Sequence, residues 1–302
     1  MKKDDSTLDP DSLHNVKGHA KDLLLKANAF GHLPTPIDRI VESAKLFVNN
    51  EISLDANTNI FARFSDKVGK TARPQLHGLK KILGILYVPS GEIYLDHTQH
   101  EKRKAFIKLH ETGHGFLPHQ KRMFEYMEDG HQELDPEIED LFEREANNFA
   151  VELLFQLDKF EKIAADYQIS IQTPIELSEK FGSSIYAGIR RYVNTHFAPL
   201  ALAVYDKPAE DRKYYLRRMP MYSDSFVKMF GQLSFPNPCD NSNCFGSLLG
   251  AKLRTDCYCG LKDLNGHTHE TNIHIFSNSY ENFVILIPAK KTSNRPYEFC
   301  LN

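Results

Sequence analysis

The sequence predicts an α+β protein, and two observations carry that expectation. Long segments near 12–29, 97–114 and 135–157 place apolar residues at helical spacing. Short aliphatic and aromatic runs at 80–87, 92–95, 200–205 and 283–288 are bounded by turn residues and read as strands. The 302 residues, 41% hydrophobic and 25% charged, suffice for one large domain or two to three smaller ones.

Charge and composition narrow the function. A formal net charge of -3 gives no overall attraction to nucleic acid. The opening MKKDDSTLDPDS has no apolar stretch behind its lysines, so a secretory signal is not expected. No apolar run approaches the ~18 residues of a membrane span, so no membrane partner is expected. Five cysteines do not suggest a disulfide framework, and a reducing cytoplasm is the expected compartment.

Val16, Ala20, Leu23, Leu24 and Ala27 define the first helix, with Gly31 as its stop. Thr35 is the expected N-cap of a second helix, followed by proline at Pro36 and running from Ile37 to about Leu46. Phe47 to Leu54 reads as a strand, and Asp55 to Pro74 is polar with few cues. Lys80 to Tyr87, Pro89-Ser90-Gly91 and Glu92 to Leu95 form an expected hairpin. A helix starting between His97 and Glu101 then runs to Gly115 and Pro118.

That helix carries His110-Glu111-Thr112-Gly113-His114, an H-E-x-x-H sequence. One helical turn puts His110 and His114 on the same face, where both ring nitrogens can meet one metal ion. Glu111 lies between them, within reach of an activated water. A catalytic zinc needs a third protein ligand and one open position.

The third ligand is expected from the helix Asp135 to Leu157, which contains Glu143 and Glu145. Glu143 shares a helical face with Ala146, Asn147, Ala150 and Leu154, while Glu145 falls nearer Asn148 and Glu152. A carboxylate among alanines is costly unless bound or paired, which favours Glu143 and leaves Glu145 as the alternative ligand. Asn147, one turn on, is placed to hold the second nitrogen of a ligand histidine.

Taken in order, Glu92-Ile93-Tyr94-Leu95, the basic helix into His110-Glu111-Thr112-Gly113-His114, and Glu143-x-Glu145-Ala146-Asn147-x-Phe149-Ala150-x-x-Leu153-Leu154 resemble the ImmA/IrrE family of zinc metallopeptidases. Pro34-Thr35-Pro36-Ile37 resembles the entry to the same domain. The resemblance implies a gluzincin-like domain with a short sheet beside the active-site helix, and one Zn2+ held by His110, His114 and a glutamate. It implies a cytoplasmic hydrolase that cleaves a specific protein, a helix-turn-helix transcriptional repressor, in stress response or mobile-element control. It also implies a helix-turn-helix-like middle region and a GAF-like C-terminal sensor. Thr112 replaces the usual aliphatic residue, and Phe155-Gln156 stand where Met-Pro commonly closes the helix.

Such a site uses the metal to activate water and polarise the scissile carbonyl. Glu111 takes the water proton and passes it to the leaving amine. Tyr126 and His131, between the two helices, are candidates for an oxyanion donor. The hairpin strand is a candidate for aligning an extended substrate.

Beyond this half, Thr173 to Phe181, Gly182-Ser183-Ser184 and Ile185 to Val193 have a helix-turn-helix pattern. The second helix opens with Ile185, Tyr186 and Ala187 and its basic pair Arg190-Arg191 comes late, so packing is favoured over direct DNA binding. Residues 198–302 read as α+β, with strands at Leu200 to Tyr205, Lys213 to Arg217 and Phe283 to Pro288, and a helix from Asp224 to Leu233. Cys239, Cys244, Cys257, Cys259 and Cys300 all lie here, near His267, His269 and His274, but in no zinc spacing. The expected organisation is a metallopeptidase domain at 1–157, a helical region at 158–197 and a C-terminal domain at 198–302. The alternative to a zinc endopeptidase is a metal-containing sensor or binding protein with little protease activity.

Overall fold

The computed structural model describes residues 6–54, 84–128, 134–208, 213–240, 246–292 and 300–301. The chain divides into two compact units, one built on residues 5–159 and 180–184, the other on 160–179 and 185–302. Both mix helices with strands, as the α+β reading requires. No described helix is long and apolar enough to cross a membrane.

In the first unit, helix α1 (Pro10–Lys26) is capped by Asp9, which accepts from the Asp11 and Ser12 amides at 3.0 Å. The buried Val16, Ala20, Leu23 and Leu24 form its inner face. It ends before Gly31, because Asn28 already turns left-handed at φ 46°. Helix α2 (Ile37–Ser43) is shorter than expected, and Thr35 is not its cap. The buried Thr35 hydroxyl instead donates to the Leu154 carbonyl at 2.8 Å, satisfying an acceptor left open at another helix end.

Strands β1 (Phe47–Ser53), β2 (Gly84–Tyr87) and β3 (Glu92–Leu95) form a sheet in the order β1-β3-β2. β2 and β3 are the expected antiparallel hairpin, with Tyr87 opposite Glu92, and β1 runs parallel to β3. The expected strand residues 80–83 and the polar stretch 55–74 lie outside the described residues. Helix α3 (Glu101–Phe116) begins only after a turn held by Asp96, which accepts from the Thr98 amide, the Thr98 hydroxyl and the Gln99 side chain. These three bonds outweigh burial and hold the Asp96 carboxyl below its ordinary range.

Pro118 does not merely end α3. Leu117 breaks the helix at ψ 118°, and Pro118 opens helix α4 (Pro118–Glu128), since a proline at the first position loses no helical hydrogen bond. Helix α5 (Pro136–Leu154) follows, capped by Asp135 as expected. After it, Gln156 and Leu157 take left-handed conformations. Gln156 accepts from the Gly31 amide and donates to the His32 carbonyl and the Thr35 hydroxyl, so its amide ties the end of α5 to residues 31–35.

Helix α3 packs on α2, β2, β3 and α5, while α5 also packs on α1. At the α3–α5 crossing a Cβ on Gly113 would stand 3.1 Å from the Ala146 Cα and 3.3 Å from its Cβ. The backbones approach so closely because Gly113 has no side chain.

Helices α6 (Lys159–Ala165), α7 (Gln172–Phe181) and α8 (Ile185–Thr195) follow in the chain, and the turn expected between the last two contains Gly182 at φ 75°. Gly188 of α8 packs against the Ser178 hydroxyl of α7. Arg191 is buried and pairs with Glu161, so half of the late basic pair is engaged in packing.

The second sheet has the order β5-β4-β8-β7-β6-β9: β4 (Ala201–Asp206), β5 (Met221–Tyr222), β6 (Leu253–Lys262), β7 (Thr268–Ser277), β8 (Glu281–Thr292) and β9 (Cys300–Leu301). Helix α9 (Asp224–Phe230) supplies Phe226 and Phe230 to a core with Ala203, Tyr205, Ile275 and Leu286. The segment Lys213 to Arg217 is not a continuous strand; it forms isolated bridges, Tyr205 to Leu216 and Tyr214 to Cys239. Cys239 and Cys259 are buried core thiols, Cys257 is half-buried, and none of the three is in a disulfide. Cys244 lies outside the described residues. His269 binds Asp263 and the Ala289 carbonyl, whereas His274 accepts from the Ile171 amide. Among the described residues these side chains form no metal-competent group.

Substituting Gly113→Val forces branched carbons against the Ala146 backbone, an overpacking that costs about 1–3 kcal/mol. Thermal melts and zinc titration of this variant are expected to show a lower Tm and weaker metal uptake. An unchanged Tm together with unchanged uptake would contradict the role given to the crossing.

Candidate metal centre

The α3–α5 crossing brings three donors together. His110 Nε2 and His114 Nε2 stand 3.1 Å apart on successive turns of α3. The Glu143 carboxylate reaches across from α5, Oε2 at 3.3 Å from His110 and Oε1 at 3.3 Å from His114. Among the described residues this is the grouping able to hold a metal ion.

The outer nitrogen of each ring faces an amide oxygen. His110 Nδ1 lies 3.2 Å from Asn147 Oδ1, and His114 Nδ1 lies 2.8 Å from Gln120 Oε1. Gln120 is fully buried, and its Nε2 donates to the Phe142 carbonyl at 3.2 Å and to Glu145 Oε2 at 2.7 Å. Both of those partners are acceptors, so the amide can be oriented only with its oxygen towards His114. An acceptor at Nδ1 leaves Nε2 as the free donor in each ring. Two imidazole nitrogens and a carboxylate oxygen, oriented in this way, are a donor set that suits zinc.

The electrostatics follow from crowding. Burial opposes charge on His114, but its hydrogen bond to Glu143 and the nearby Glu111 raise its pKa to about 9. Burial likewise opposes charge on Glu143, and the two histidines overcome it, holding the carboxyl well below its ordinary range.

Glu111 sits on the buried side of α3, and burial pushes its carboxyl up despite the neighbouring histidines. It accepts from the Leu86 backbone amide of β2. A Cβ on Gly84 would lie 2.8 Å from the Glu111 carboxylate and would strike Ile107, so the glycine lets β2 lie directly over the base. The buried hydroxyl of Thr112 donates back to the Lys108 carbonyl at 2.7 Å.

Exposure on α5 is the reverse of what helical spacing suggests. The Glu143 side chain is 53% exposed and that of Glu145 is 8% exposed. The cause is α4, whose His119 and Gln120 cover the Glu145 side; His119 Nε2 lies 2.6 Å from Glu145 Oε2. Glu145 is therefore turned away from the histidine pair, behind Gln120. Gln120 is the residue sequence reasoning missed, and Pro118 as a helix start was its available signal. Tyr126 is exposed on α4, and His131 lies outside the described residues.

Residues 66–191 match the family model described as the IrrE N-terminal-like domain, a peptidase family. No curated protein matches the chain. Among solved structures, a Mycobacterium tuberculosis transcriptional regulator aligns with TM-score 0.52 at 12% identity, over 91% of this chain and 76% of the other. At that identity the likeness is one of fold. The grouped donors His110, His114 and Glu143 all fall within the span that is similar to this peptidase family model.

Proposed function

We propose that the protein is a zinc-dependent endopeptidase with a narrow protein substrate. The observation that carries this reading is the convergence of His110, His114 and Glu143 with the buried Glu111 beside them. The three would hold one zinc, with His110 fixed by Asn147. Zinc bound there supplies Lewis-acid activation of water and of the scissile carbonyl.

The chain's own residues supply the rest. Glu111 takes the proton from the attacking water and delivers it to the leaving nitrogen. Burial raises its carboxyl above the ordinary carboxylate range, which suits a group that takes up and hands on a proton. Release from the Leu86 amide frees its carboxylate for this work and frees the β2 edge for an extended peptide.

A helix-turn-helix repressor is the substrate that the family resemblance favours, and the fold shared with a protein titled a transcriptional regulator is compatible with a regulatory setting. The second unit, with one sheet and a covering helix, suits a GAF-like sensor controlling the protease. Burial of Arg191 supports packing rather than DNA reading for α8. The intact Glu111 weighs against a sensor that has lost its chemistry.

Two variants separate binding from chemistry. Glu111→Gln is expected to bind zinc at wild-type stoichiometry while losing at least about a hundredfold in cleavage of a co-expressed repressor. Full activity of this variant would refute the assignment of the base. Glu143→Ala is expected to leave most of the protein zinc-free after dialysis, measured by elemental analysis; normal zinc content would remove Glu143 from the ligand set. Chelation should abolish cleavage by the wild type, and added zinc should restore it.

A further inference from the structure

We infer that Glu145 is a positioning residue for the metal centre, acting through Gln120 on His114. The inference rests on the zinc reading above and gives Glu145 a role distinct from ligation. Three contacts form a continuous chain: His119 Nε2 to Glu145 Oε2 at 2.6 Å, Gln120 Nε2 to Glu145 Oε2 at 2.7 Å, and Gln120 Oε1 to His114 Nδ1 at 2.8 Å.

The direction of control follows from hydrogen-bond capacity. A glutamine amide can present either end to a histidine. If Gln120 turned its NH2 group to His114, Nδ1 would become the acceptor and the proton would move to Nε2, closing that nitrogen to metal. Glu145 prevents the turn because a carboxylate accepts and does not donate. The Phe142 carbonyl, at 3.2 Å from the same Nε2, adds a second acceptor. Gln120 has no exposure at all, so water cannot replace a lost partner without opening the core. His119, at the half-exposed end of α4, fixes Glu145 in turn. His110 depends on the longer 3.2 Å contact to the partly exposed Asn147, so the His114 side is the more tightly governed of the two.

The test measures zinc affinity by chelator competition, alongside thermal melts of the metal-free proteins. Loss of such an outer partner typically weakens metal binding about 10- to 100-fold, and that loss is expected for Glu145→Leu. Glu145→Gln retains an acceptor for Gln120 and can donate to His119, so it is expected to stay within about threefold of wild type. Gln120→Met should lose as much as Glu145→Leu, and the double variant should lose no more than either single one, because they interrupt one path. Nitrogen-15 NMR of zinc-loaded protein should show a solvent-protected His114 Nδ1 proton in the wild type and Glu145→Gln, and rapid exchange in Gln120→Met.

Wild-type affinity in Glu145→Leu, additive losses in the double variant, or equal losses in Glu145→Gln and Glu145→Leu would each overturn the relay. If Glu145→Leu does not fold, Gln120→Met and Glu145→Gln still decide the question by affinity and exchange. A wild-type chain that binds no zinc would overturn the metal reading and this inference with it. A wild type that binds zinc beside an unaffected Gln120→Met would overturn the relay alone.

Discussion

The close crossing of α3 and α5 at Gly113 and Ala146 is the constraint on which the site depends. A helix can align two histidines on one face by itself, but it cannot supply a third ligand at the same point. Only a second helix pressed against the first brings Glu143 to 3.3 Å from both rings. Gly113, placed between the two histidines, permits that approach. The same crossing delivers Asn147 to His110, so ligand geometry and ring orientation share one packing contact.

Around this contact the sheet and α4 act from opposite sides. β2 lies over Glu111, with its Leu86 amide on the carboxylate and Gly84 leaving the space. α4 brings Gln120 beneath His114. A buried acid beside a metal-competent group is expensive to maintain in a folded chain, and its cost is offset by the packing of the surrounding core. This is the pattern of a site held ready by its scaffold rather than assembled by the reacting groups alone.

Much of this was legible from residue order. Helical spacing located the His110–His114 pair, the Asp135 cap located α5, and Pro89-Ser90-Gly91 located the hairpin. The burial of Glu145 was not legible, because it depends on a helix whose start, Pro118, equally marks the end of the helix before it. Local periodicity records one helix against one core; α5 is covered from several directions, and the argument from a single apolar stripe fails there. The strands β6 and β7 were missed for a related reason. Their sequences carry Thr, His, Asn and charged residues: in β7 the polar His269 and Thr271 take the buried side of the alternation, and the first half of β6 is exposed, so hydropathy does not mark either strand. Thr35 shows the same limit in small: its position before Pro36 suggested a cap, while a carbonyl distant in sequence claimed its hydroxyl.

In the proposed site one metal is held by two imidazoles and a carboxylate of the first unit. X-ray absorption at the zinc edge on the zinc-loaded chain tests it directly. The expected first shell is nitrogen and oxygen, with the outer-ring signature of two histidines and no sulfur. A shell containing sulfur, or one lacking the imidazole signature, would place the metal elsewhere, among the cysteines of the second unit or on the surface, and would contradict it.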